Sequence, residues 1–175
     1  MKKTTFLTTI ALVFGMLFSI NTNAQKFPGV DKSPLDIAYY KADRMAPPMI
    51  KVIYSRPQLN GRELSKLAPN GKVWRTGANE ATEIKFFQDM TFGGKPVKAG
   101  TYSLFTIPGE KEWTIILNSE LDVWGAFSYK EANDVLKVNV PATTGEAVED
   151  FSIVFENNNM HLAWGTTRVA VPVSK

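Results

Sequence analysis

Gly100-Thr101-Tyr102-Ser103-Leu104-Phe105-Thr106-Ile107-Pro108-Gly109-Glu110-Lys111-Glu112-Trp113-Thr114-Ile115-Ile116-Leu117 decides the fold class. In its first half Tyr102 and Leu104 share one face of an extended chain and Phe105 and Ile107 share the other. Apolar residues on both faces mark a central strand. Gly109-Glu110-Lys111-Glu112 then reads as a turn, and Trp113, Ile115 and Leu117 alternate along a second strand. Period two continues outward in both directions. Upstream it places Ile50, Val52 and Tyr54 together, then Ile84 and Phe86 against outward Glu83 and Lys85. Gly93-Gly94 signals a short hairpin between Met90-Thr91-Phe92 and Lys95-Pro96-Val97. Downstream, Leu136, Val138 and Val140 alternate, as do Phe151, Ile153 and Phe155. Asn157-Asn158-Asn159 turns the chain into Met160, Leu162 and Trp164, and Gly165-Thr166-Thr167 is expected to turn it again before Val169, Val171 and Val173.

Long helical periodicity is missing from this pattern. Arg62 to Leu67 and Tyr129 to Asp134 offer at most a turn or two of helix. The expected fold is therefore all-β, an antiparallel, jelly-roll-like β-sandwich of about eight to ten strands with one or two short helical turns.

The first 24 residues belong to a different class of segment. Lys2 and Lys3 precede an apolar run from Phe6 to Ile20, and Thr22-Asn23-Ala24 provides small residues ahead of Gln25. That is the layout of a secretory signal peptide, and the run falls short of the roughly twenty residues a membrane-spanning helix needs. Residues 1–24 are expected to be removed and residues 25–175 to form a single domain, exported to the periplasm or beyond, with no membrane span. Removing 24 of the 175 residues leaves 151, enough for one substantial core. The net charge of +3 drops to +1 once Lys2 and Lys3 are gone, with 18 basic residues against 17 acidic ones. No basic tract remains to attract nucleic acid. With no cysteine there is neither a disulfide nor a lipidation site, so the core alone must hold the fold.

Candidate chemistry concentrates in Trp74-Arg75-Thr76-Gly77-Ala78-Asn79-Glu80-Ala81-Thr82, which is too polar for core. In a functional reading Arg75 and Asn79 grip a carboxylate, phosphate or sugar hydroxyl and Trp74 is a stacking wall. In a structural reading Gly77 takes a positive φ, Asn79 closes an Asx-turn and Arg75 pairs with Glu80 or Glu83, fastening the loop to the sheet. The structural reading is the preferred one for Arg75. Trp74 and Trp124 lie in glycine-rich irregular segments and are the better candidates for stacking on a ligand such as a carbohydrate, although covering the ends of the sandwich is the preferred reading. Trp113 and Trp164 keep phase with apolar neighbours and belong to the core.

Metal and nucleophile chemistry find little support. His161 is the only histidine and stands out of phase with its apolar neighbours, and no Gly-x-Ser-x-Gly elbow occurs. No metal and no cofactor are expected. Glu80 and Glu83 would face opposite ways in an extended chain, so a carboxylate pair would need a distant partner such as Asp122 or Asp36.

The motifs Tyr54-Ser55-Arg56-Pro57, Asn60-Gly61-Arg62 and Gly71 to Thr82 resemble the opening signature of domain-of-unknown-function family 2911. Lys98 to Pro108 and Trp124-Gly125-Ala126-Phe127 to Tyr129 are similar to its later blocks. The resemblance implies a small secreted bacterial domain and carries over no activity and no catalytic residue. The candidate ligand-binding residues are thus Arg56, Trp74, Arg75, Asn79, Glu80 and Trp124. The expected role is binding a small molecule, carbohydrate or envelope protein. Hydrolysis through carboxylates is the alternative, and a purely structural or assembly role is the second.

Overall fold

A computed structural model describes residues 25–175; the expected signal peptide lies outside the described residues. Residues 25–30 are exposed without regular secondary structure, and a compact unit runs from Asp31 to Lys175. Nine strands make it up: β1 (Leu35–Tyr40), β2 (Ile50–Ser55), β3 (Thr82–Phe86), β4 (Met90–Phe92), β5 (Lys95–Val97), β6 (Gly100–Ile107), β7 (Glu112–Asn118), β8 (Asp134–Glu156) and β9 (Asn159–Ser174). One helical turn, α1 (Leu64–Leu67), and one 3-10 turn, Glu131–Asn133, complete it. The expected all-β antiparallel fold, with its short helical turns, is what the chain adopts.

All nine strands belong to one open sheet in the order β1-β2-β3-β6-β7-β8-β9-β4-β5. Between β3 and β6 the chain leaves to form the β4–β5 hairpin, which pairs with the end of β9 through Phe92 and Val173. The two layers of a sandwich are therefore parts of a single sheet folded over on itself. β8 makes the fold, pairing with β7 through residues 134–141 and with β9 through residues 142–156. The register of β8 against β9 shifts on either side of Val148, and such irregularities let a strand turn a corner.

Two sequence expectations change here. The two apolar runs around Leu136 and Phe151 are one strand, and Gly165 is not a turn but an irregular point inside β9. Gly165 adopts φ +55 opposite Val148, and the Arg168 guanidinium donates to the carbonyls of Gly165, Thr167 and Glu146 where the ladder opens. The other turns are as expected. Gly93-Gly94 and Asn157-Asn158 both take positive φ and close two-residue hairpins.

The main core fills the space between the layers. Aromatic rings meet across it: Tyr54 with Phe151 at 5.8 Å, Phe86 with Phe92 at 5.5 Å and Tyr40 with Phe155 at 5.6 Å. A second, smaller cluster lies on the outer face of β6 and β7, where Ala81, Phe105 and Ile116 are covered by Val73, Val123, Ala126 and Tyr129. This explains why β6 is apolar on both sides. The covering segments, residues 73–81 and 119–130, carry the candidate site.

Candidate functional site

The dense motif enters the structure through Trp74, whose backbone exchanges hydrogen bonds with Thr106 at 2.7 and 2.9 Å. That bridge turns the indole inward. Trp74 is 6% exposed, stacks on Trp164 at 5.3 Å with 16° between the planes, and meets Trp113 and Phe151 edge-on. It is core and offers no wall to a ligand.

The loop that follows is tied to itself. Thr82 donates its backbone N–H to Arg75 O (3.1 Å) and its hydroxyl to Thr76 O (2.7 Å), while the buried Thr76 hydroxyl reaches Thr106 Oγ1 at 3.2 Å. These bonds hold Thr76 at φ +55, a left-handed conformation that β-branched residues rarely adopt. Gly77 does not carry the positive φ; Thr76 and Asn79 do. Gly77 is needed for closeness instead, because a Cβ there would sit 3.1 Å from Ser55 O and 3.0 Å from Thr82 Oγ1.

From Asn79 onward the motif pairs with the loop after β7. Gly125 N–H donates to Asn79 O and Ala81 N–H to Val123 O, both at 2.9 Å, and Glu80 bridges Trp124. Opposed residues in such a ladder carry their side chains on one face. Trp124 is 60% exposed and Glu80 is exposed beside it. The partner loop is anchored by the buried Asn118, which donates to Lys130 O and Asp134 Oδ1 and accepts from Glu120 N–H. Ser103 and Tyr129 add a hydroxyl bond each, to Glu120 O and to Asp134 Oδ2.

Glu80 lines a cavity of about 280 Å³ together with Leu35, Ile53, Tyr54, Ser55, Ala81, Glu83 and Asp122. Glu80 and Glu83 thus share a cleft, contrary to the expectation from simple alternation. The physical reason is that β3 begins only at Thr82, so Glu80 sits in the irregular stretch before the pleat starts. Asp122, at φ +56, joins them from the other loop, and Glu83 Oε1 accepts its backbone N–H at 3.4 Å. Among the described residues no group of three or more acidic or histidine side chains is arranged to hold a metal ion. The three carboxylates ring the cleft without converging on one point.

Arg56 lies elsewhere. Its Nε donates to Phe151 O (3.1 Å), Nη1 to Asp36 Oδ2 (3.2 Å) and Nη2 to Ser152 Oγ (2.8 Å). Every arm is engaged with the fold, so Arg56 has a structural role and does not line the acidic cleft. Arg75 does not make the expected pair with Glu80 or Glu83: among the described residues it forms no salt bridge, and its buried Nε has no acceptor. Burial without a partner pushes its pKa below the usual arginine value. The Asx-turn at Asn79 is likewise missing, since the amide makes no hydrogen bond among the described residues.

Two features had no signal in the sequence. Phe127 is 87% exposed beside Gly125, and an open depression of about 620 Å³ forms where Tyr39, Lys41, Arg44, Phe155 and Lys175 meet. No helix among the described residues is long and apolar enough to cross a membrane.

Fold and cleft together define an antiparallel β domain that carries loops on the outer face of one layer. A family model described as Protein of unknown function (DUF2911) matches residues 33–173, and the chain belongs to that family. No curated protein and no solved structure matches the chain.

Proposed function

We propose that this chain is an exported binding domain whose acidic cleft takes a hydroxyl-rich small molecule, a saccharide above all. The observation that carries this reading is the gathering of Glu80, Glu83 and Asp122, from two stretches of chain, around one cavity, with the exposed Trp124 paired to Glu80. Ionised carboxylates only accept hydrogen bonds, and sugar hydroxyls donate them in several directions. The exposed indole paired with Glu80 supplies a flat apolar face. The cavity, about 280 Å³, lies near the lower end of the roughly 300–1,000 Å³ usual for small-molecule sites, which suits about one ring. Export rests on the charged start, the short apolar run and the small residues before Gln25.

Hydrolysis is the second reading, favoured by the same carboxylates, since glycoside cleavage uses two of them about 5–10 Å apart. Calorimetry of residues 25–175 against a panel of mono- and disaccharides tests the first reading. Glu80→Gln and Trp124→Ala are each expected to weaken a hit about tenfold or more, a loss of ~1.4 kcal/mol, with unchanged melting. An empty panel, or a hit indifferent to both substitutions, contradicts binding in the cleft. Release of nitrophenol from aryl glycosides by the wild type, lost in Glu83→Gln, would replace binding with catalysis.

A further inference from the structure

Arg75 stands apart from the other half-buried arginines among the described residues. Arg56 engages all three of its nitrogens and Arg168 two, whereas Arg75 makes no side-chain hydrogen bond among the described residues. Buried polar groups are nearly always paired, and a cation removed from water without a partner is a costly arrangement. Its Nε is enclosed, but Nη1 and Nη2 are not among the buried unpaired atoms, so the free end of the guanidinium is the accessible end. What lies beside that end is partly apolar. A Cβ on Gly125 would sit 3.6 Å from Arg75 Nη1 and 2.9 Å from the Phe127 ring, so only a glycine lets the ring and the guanidinium both lie close to this backbone. Asn79, whose carbonyl accepts from Gly125 N–H at 2.9 Å, makes no side-chain hydrogen bond among the described residues.

We propose that Arg75 Nη1 and Nη2 form a second binding site, distinct from the acidic cleft, for the carboxylate of a small apolar acid. The two coplanar N–H groups match the two oxygens of a carboxylate, and one guanidinium balances one negative charge. The exposed Phe127 ring, which lies against Gly125, would cover the apolar part of such a ligand. Asn79 can donate a further hydrogen bond to the same oxygens. Arg75 does not line the acidic cleft, so the proposal does not depend on saccharide binding.

The test is a titration of the 15N-labelled protein with benzoate, with benzamide as the uncharged control and chloride at matched ionic strength. The Arg75 Nε–H resonance is expected to shift and saturate at millimolar benzoate, the range of about −4 kcal/mol, and to ignore benzamide and chloride. Arg75→Lys, which keeps the charge and loses the fork, is expected to weaken benzoate about tenfold or more, and Glu83→Gln is expected to leave it unchanged. A resonance that stays still in benzoate, or moves equally with benzamide or chloride, overturns the site. Because that measurement uses the wild type, it stands even if Arg75→Lys fails to fold.

Discussion

Trp74 and Trp164 stack at the centre of the core, with Phe151 and Trp113 edge-on to Trp74, and Trp164 Nε1 donates to Glu149 O at 3.0 Å. Trp164→Ala removes a large ring from this cluster and is expected to cost about 3–5 kcal/mol in chemical denaturation. A near-neutral result would take Trp164 out of the core. Its burial was legible because Met160, Leu162 and Trp164 keep a strict alternation. Trp74 was not legible, because no alternation surrounds it and its orientation comes from a bridge to Thr106, thirty-two residues further along the chain. Gly77 shows the same limit: glycine reads as a turn former, and the close backbone of Ser55 that demands it lies outside the local sequence.

The seam between β8 and the start of the sheet is closed partly by side chains. Phe151 N–H donates to Pro57 O and Leu59 N–H to Glu149 O, and beyond them Tyr54 and Arg56 take over. Tyr54 accepts from Ile153 N–H at 3.0 Å, and Arg56 spans Asp36, Phe151 and Ser152. Arg56→Ala leaves carbonyl and carboxylate acceptors unmatched there, so about 1–3 kcal/mol of stability is expected to go in urea denaturation. Burial raises the Tyr54 pKa, with Asp36 adding to it, and burial followed by Asp134 raises that of Tyr129. A phenol whose folded pKa lies above its unfolded value, about 10, stabilises the fold fully below that pH. Its contribution is lost as pH climbs above it. Stability is therefore expected to decline above about pH 10, more gently in Tyr129→Phe; identical alkaline profiles for the wild type and variant would contradict this. At this scale the sequence showed most strands, but not that two of its runs are one. The stretch 143–150, in which no residue is buried, hides the continuity of β8, which follows from pairing with β9 rather than from any local pattern.

The whole molecule relies on one sheet folded around one main core, with no cysteine to staple it. Its melting temperature is expected to be the same with and without reductant or EDTA; a drop of several degrees in EDTA would reveal a bound metal. The candidate site was half legible. Glu80 and Trp124 stood out as a carboxylate and an indole in irregular, glycine-rich segments, and the fold sets them side by side. Glu83 joins them because Glu80 precedes the pleat of β3, and Asp122, one of two distant carboxylate partners the sequence offered, because a loop after β7 crosses the outer face of the sheet. Saccharide recognition in this cleft is the central claim, and backbone and indole chemical-shift mapping during titration with the best sugar of the panel tests it most directly. Saturating shifts are expected at Glu80, Ala81, Glu83, Asp122 and the Trp124 indole; shifts confined to the depression around Tyr39 and Phe155, or none that saturate, would contradict it.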